Sequence, residues 1–213
     1  VPLHPTLEQV GLPQAGVVAV EQEQQPGEQD RGLLRGEVLL LLVLGSLIGH
    51  GQTVAVSAGT TAYAVAIELR PVKRLTVVTN SPRVAALLYD PSREDQTVVL
   101  TGGVRTPSDA LAGPVANRVL ADMHVDTLIL GIHGIDLDAG LTTPNLLEAE
   151  TNRLLIAAAK RIIVVADHSK WGVIGLCTVG SLDQVDVLVT DAELDVEARR
   201  RVSEKVGQLI VAQ

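Results

Sequence analysis

The stretch Thr53–Ser81, TVAVSAGTTAYAVAIELRPVKRLTVVTNS, changes its pattern three times. Thr53–Val56 is a short run of β-branched and small apolar residues. Residues 61–69 space their apolar side chains as a helix does, and Leu75–Thr79 returns to a β run. Strand, helix and strand in that order make a crossover unit, and crossover units build parallel sheets covered by helices.

The alternation continues outward. Further strand candidates are Thr97–Leu100, Thr127–Ile132, Ile162–Ala166 and Val187–Thr190, and the helix candidates between and after the strands lie near residues 82–89, 114–123, 145–160 and 195–207. The strands are nearly continuous in apolar character, which is how strands buried on both faces read. The expected fold is therefore α/β: three layers, Rossmann-like, with a mainly parallel sheet and helices on both faces. Residues 1–30 show no helical or strand periodicity, and Glu21–Asp30, EQEQQPGEQD, is close to low complexity, so they are expected to be an arm or linker. An apolar helix is expected from Gly32 to Ile48. Its richest part, Val38–Ile48, is buried within the subunit or lies at a subunit contact, and is well short of the roughly 20 residues needed to cross a bilayer.

Composition narrows the function. The 213 residues carry a formal net charge of −8, 46% hydrophobic residues and no Phe, so Leu, Val, Ile and Ala must fill the core. No Lys/Arg cluster supplies the footprint that phosphate-backbone binding to DNA requires. The single Cys177 excludes an internal disulfide, fits a reducing cytosol and is expected to be apolar filler. The five histidines lack metal-ligand spacing, and neither nucleotide-binding glycine signature is present in its proper context, so no metal and no cofactor are expected.

Ligands of parallel sheets bind beyond the carboxyl ends of the strands. Here those ends read SAGTT at Ser57–Thr61, NS at Asn80–Ser81, TGG at Thr101–Gly103, HGID at His133–Asp136, DHSK at Asp167–Lys170 and DAE at Asp191–Glu193. Nearly all of these residues are small, polar or charged. In SAGTT, Gly59 permits positive φ and close approach of the backbone, while Thr60 and Thr61 stand at the start of a helix whose free N–H groups attract anions. Thr60 serving only as the helix cap is the alternative. Two or three charge-assisted hydrogen bonds, at about 1.5–3 kcal/mol each, reach the scale of millimolar to micromolar binding before association costs. In Gly140–Glu150, GLTTPNLLEAE, either Thr143 or Asn145 caps a helix with Pro144 in its first turn. Glu148 and Asn152 share a face of that helix, Glu150 and Arg153 are spaced to pair, and Lys170 either meets a ligand or pairs with Asp167.

Together, SAGTT, TVVTNS, LTGG, LAGPVA, LGIHGID, GLTTPNLLEAE and ADHSKWG resemble, in order and over about residues 32–191, the C-terminal effector-sensing domain of DeoR-type transcriptional regulators. The resemblance implies a fold similar to ribose-5-phosphate isomerase, a sensing domain over residues 31–213 and a phosphorylated sugar or related metabolite as effector. It also implies a cytoplasmic homo-oligomer with no membrane partner. Operator DNA would be met only through an N-terminal helix-turn-helix absent from this chain. That agrees with the acidic charge and with a first residue, Val1, that is not methionine. The ligand-binding set carried by these motifs is Ser57, Ala58, Gly59, Thr60 and Thr61 with Lys170 for the phosphate, and Asn80, Gly102, Gly103, His133 and Glu148 for the remainder. His133 and Trp171 depart from the family, which often has Asp and Phe at these places. The rival reading, an isomerase-like enzyme, needs a carboxylate as general base. Ungapped comparison of DHSK with the similar DESK of ribose-5-phosphate isomerases puts Asn152 at the position of their catalytic Glu, and an amide cannot take that proton. The expectation is a sensor with no catalytic residue.

Overall fold

A computed structural model describes residues 17–19 and 47–212. The expected apolar helix lies outside the described residues except for Leu47 and Ile48. Eight strands form one sheet in the order β1-β13-β12-β10-β7-β2-β3-β4, and every neighbouring pair is parallel. These strands are β1 (Val17–Ala19), β2 (Thr53–Val56), β3 (Thr76–Thr79), β4 (Thr97–Leu100), β7 (Val125–Gly131), β10 (Ala159–Val165), β12 (Val187–Asp191) and β13 (Gln208–Ala212). A hairpin of β5 (Val104–Arg105) and β6 (Leu111–Ala112) and an antiparallel sheet of β8 (Gly134–Asp136), β9 (Gly140–Thr143) and β11 (Cys177–Gly180) complete the strands.

The twofold alternation of strand side chains separates two cores. Val54 and Val56 of β2, Ile129 of β7, and Ile163 and Val165 of β10 pack on one side with α1 (Thr60–Glu68) and α2 (Pro82–Leu88), through Ala62, Val65, Ala66, Val84 and Leu88. Ala55, Leu128, Leu130, Ile162 and Val164 pack on the other with α3 (Pro114–Leu120), α4 (Leu146–Ala158) and α5 (Val196–Ser203), through Leu120, Leu155, Ile156 and Val202. This is the expected three-layer α/β architecture. Each large aliphatic side chain taken fully out of water contributes about 1.5–3 kcal/mol, so a chain with few aromatics still fills both layers.

Differences from the sequence reading have local causes. β10 begins at Ala159, directly after α4 with no loop: Ala159, the helix's C-cap, is already extended and pairs with Val125 of β7, while Lys160 reaches outward to Asp126 (Nζ to Oδ1, 2.8 Å). α5 ends at Ser203, short of the expected residue 207, and the remaining chain returns to the sheet as β13, a strand the sequence reading did not include. Val17–Ala19, inside the expected arm, pairs with β13 as the edge strand β1. Cys177 is half-buried against the core, less enclosed than its expected filler role.

The small antiparallel sheet packs tightly at Gly134, where an added Cβ would stand 2.1 Å from the Val173 carbonyl oxygen and 2.8 Å from the Thr142 hydroxyl. Gly134→Ala is therefore expected to destabilise the protein by about 2–3 kcal/mol, seen as a lower urea midpoint at unchanged slope. An unchanged midpoint would contradict this packing.

Candidate functional site

The carboxyl ends of β2, β3, β7 and β10 face a cavity of about 770 Å³ whose opposite wall is the start of α4 and the tip of the β5–β6 hairpin. That volume lies within the range of small-molecule sites. Ala58, Gly59, Thr60, Thr61, Asn80, His133, Glu148 and Lys170 all line it, so eight of the residues singled out by sequence converge.

The chain leaves β2 and enters α1 without a loop to spare. Gly59, the N-cap residue, has φ 131° and ψ 157°, a conformation that side-chain-bearing residues rarely adopt, and no side chain caps the helix. Thr60 is thus the first helical residue and not the cap. A helix leaves its first N–H groups unpaired, and those of Gly59, Thr60 and Thr61 find no acceptor among the described residues. Two buried side chains fix this turn from behind. Asn80 accepts from the Ala58 N–H at 3.0 Å and donates to the Leu111 carbonyl at 3.2 Å. Ser57 accepts from the Gly131 N–H at 2.9 Å and donates to the Ala58 carbonyl. Both groups are therefore largely spoken for within the protein, and the Asn80 amide positions the loop.

At the far wall Asn145 caps α4, accepting from the Leu147 and Glu148 N–H groups, and Pro144 precedes the cap instead of sitting inside the first turn. Glu148 accepts a 2.5 Å hydrogen bond from Ser108 at the hairpin tip, where Asp109 holds φ 63° and pairs with Arg105. Glu150 does not pair with Arg153: it accepts from Asn117, and Arg153 donates to the Thr178 carbonyl. His133 is exposed at the end of β7. Lys170 is half-buried in a 3₁₀ turn opened by Asp167, whose carboxylate accepts from the Ser169 N–H instead of pairing with the lysine. Among the described residues the Lys170 ammonium has no ion-pair partner.

Gly102 and Gly103 do not line the cavity. A Cβ on Gly103 would lie 2.7 Å from the Ala112 carbonyl oxygen, so this pair shapes the turn into the hairpin. Ser108, Thr143 and Asn152 line the cavity without having been included in the site. The sequence signal for Ser108 is the polar turn Thr106–Asp109, passed over because its flanking strands are two residues each.

Beside the cavity, His168 and Asp191 bond through Nδ1 at 3.1 Å, with Glu193 3.3 Å from Nε2. Asp167, His168 and Asp191 bring ligand-type atoms within 4.8 Å of one another, a grouping that linear spacing does not display. The hydrogen bond to Asp191 raises the His168 pKa above the usual imidazole value, with the charges of Asp191, Glu193 and Asp167 adding to it. Burial pushes the Asp191 carboxyl up, but hydrogen bonds from the His168 N–H and ring and from the Glu193 N–H outweigh it and leave the pKa lowered.

A raised folded-state pKa adds stability that is complete below the unfolded value of about 6.5 and is lost as pH rises through the folded value. The thermal-midpoint advantage over His168→Gln should therefore be fullest below about pH 6.5 and shrink as the pH is raised above it, and a constant difference would contradict the pairing. Asn80→Ala should lower stability in urea by about 1–3 kcal/mol, because it strips a buried N–H and a carbonyl of their partner. A loss of a few tenths would mean that the turn is held by other contacts.

Residues 43–192 match the family described as the DeoR C terminal sensor domain. The HTH-type transcriptional regulator GlpR of Haloferax volcanii is 35% identical over 196 residues, 92% of this chain and 75% of that protein. The glycerol-3-phosphate regulon repressor of Escherichia coli is 33% identical over 163 residues, 76% of this chain and 64% of the repressor. For the HTH-type transcriptional regulator GolR of Listeria innocua the figures are 33% over 151 residues, 70% and 59%. The chain thus spans between about three-fifths and three-quarters of these relatives. Ribose 5-phosphate isomerase A of Neisseria gonorrhoeae superposes with a TM-score of 0.44 at 15% identity, over 66% of this chain and 54% of its own, a likeness too low to build on.

Proposed function

The chain belongs to the DeoR family as its C-terminal sensor domain, and from that premise we propose that its cavity binds a phosphorylated sugar or related metabolite, with the phosphate on the first turn of α1. One observation carries this reading: the N–H groups of Gly59, Thr60 and Thr61 lack protein acceptors at a cavity that Lys170, itself unpaired among the described residues, also lines. The helix dipole, the aligned N–H groups and the ammonium act on the same sign of charge. Glu148 and His133 then meet the ligand's hydroxyls as acceptor and as donor or acceptor. The regulon named for the E. coli relative is that of a phosphorylated three-carbon polyol, in keeping with this ligand class.

The site recognises its ligand without transforming it. An aldose–ketose isomerase needs a carboxylate beside the carbon that loses its proton, and Asn152 supplies an amide where the ungapped comparison expects one. Glu148, one turn earlier on α4, stands about 6 Å away along the helix and is already bonded to Ser108. Ligand changes operator affinity, in this reading, by favouring one quaternary arrangement of a cytoplasmic homo-oligomer, and a tenfold preference requires about 1.4 kcal/mol. DNA contact, in keeping with the names of the HTH-type relatives, belongs to a helix-turn-helix outside the sensor domain.

In a thermal-shift panel, phosphorylated sugars should raise the midpoint and their unphosphorylated counterparts should not, since stabilisation follows RT ln(1 + [L]/Kd). Equal shifts in both sets would overturn the phosphate seat. Lys170→Met should weaken binding of a responding compound by about tenfold or more, the loss of one charge-assisted bond. Isomerisation of a sugar phosphate that Glu148→Gln abolishes would replace the sensor reading with an enzyme.

A further inference from the structure

Two buried polar side chains of the cavity take no part in the proposed phosphate seat and have no partner among the described residues. Asn152 is 9% exposed and lines the cavity on α4, one turn beyond Glu148. Its neighbours in sequence are engaged: Thr151 donates to Asn117 and the Leu147 carbonyl, and Arg153 donates to the Thr178 carbonyl. The Asn152 amide makes no hydrogen bond among the described residues. Nor is it sealed off, because the one fully enclosed unpaired side-chain polar atom among those residues is Gln96 Nε2. It opens on the cavity.

Thr143, 3% exposed on β9, repeats the pattern. The preceding Thr142 turns its hydroxyl away to the Gly134 and Val173 carbonyls and the Gly175 N–H. Strand alternation turns Thr143 to the opposite side, where its hydroxyl has no partner among the described residues. This contrasts with Asn80 and Ser57, whose side chains are occupied in holding the loop. Buried polar groups are ordinarily paired, and two exceptions lining one cavity mark the place where a ligand completes the pairing.

Resting on the phosphate seat, we propose that Asn152, with the Thr143 hydroxyl, is the specificity-determining contact of this cavity, and that it binds an uncharged hydroxyl or carbonyl oxygen of a phosphorylated polyol or sugar. An amide offers two donors and an acceptor, and a hydroxyl offers both roles, so either group of the ligand can be satisfied. A second anionic group on the ligand would meet the Glu148 carboxylate one turn away. An apolar group would leave amide and hydroxyl unpaired, and sites built to bond a polar group reject analogues that lack it strongly. The amide at this position thus reads the ligand's oxygen pattern, where a carboxylate would remove a proton from it.

The test is calorimetric titration of the full 213-residue chain with glycerol 3-phosphate, fructose 6-phosphate and inorganic phosphate, repeated for Asn152→Leu and Thr143→Val. The unsubstituted protein should bind at least one of the organic phosphates about tenfold or more tightly than inorganic phosphate, and Asn152→Leu should reduce that preference below about threefold while phosphate affinity stays within about twofold. Thr143→Val should reduce the preference in the same direction, and it carries the test if Asn152→Leu does not fold. A preference that survives both substitutions, or one absent from the unsubstituted protein while inorganic phosphate binds, overturns the role of Asn152 and leaves the phosphate seat standing. Failure of all three phosphates to bind overturns the seat itself.

Discussion

Parallel strands deliver all of their carboxyl ends to one edge, and the site depends on that constraint. In an antiparallel sheet SAGTT, Asn80, His133 and Lys170 would be divided between opposite edges. Because β2, β3, β7 and β10 run the same way, their four terminal loops meet at one cavity. The register is then held at the loops themselves. The Asn80 amide ties the end of β3 to the Ala58 N–H and to Leu111, and the Ser57 hydroxyl ties the end of β2 to the Gly131 N–H of β7. Those bonds hold Gly59 in its unusual conformation and leave the first N–H groups of α1 pointing at open space.

The opposite wall is built less rigidly. Asn145 fixes where α4 starts, but Glu148 reaches the hairpin tip through a single hydrogen bond from Ser108, and the tip itself is a surface turn. Leu146 and Leu176, both lining the cavity, are 65% and 75% exposed. In the proposed reading the Gly59–Thr61 turn is the fixed part that recognises, and the hairpin and α4 entrance are the softer part that responds.

The fold was legible because its central strands are buried on both faces and so read as short apolar runs, as in Thr53–Val56 and Ile162–Val165, and because even the half-exposed edge strand Thr97–Leu100 keeps a β-branched apolar run. The short antiparallel strands were not: β5 with β6, and β8, β9 and β11, lack a continuous apolar run, and β9 buries two threonines that carry no hydrophobic signal. Residues that follow the parallel strands could be placed at the cavity from the sequence, since topology alone determines where they go. The Gly102–Gly103 pair, expected at the site, lies off the cavity lining: glycines serve turns and ligands alike, and here an adjacent carbonyl accounts for Gly103. Ser108 and Thr143 were missed because what brings them to the cavity is hairpin and strand geometry that their neighbours in sequence do not reveal. Asn152 was noted as a missing base, and its burial without a partner among the described residues is what the proposed contact is argued from.

The account stands on where the phosphate sits. A crystal structure of the chain grown with fructose 6-phosphate measures this directly. The account predicts phosphorus density within hydrogen-bonding reach of the Gly59, Thr60 and Thr61 N–H groups, with Lys170 alongside. Phosphorus density at the Asn152 end of the cavity, or anywhere away from the first turn of α1, would contradict it.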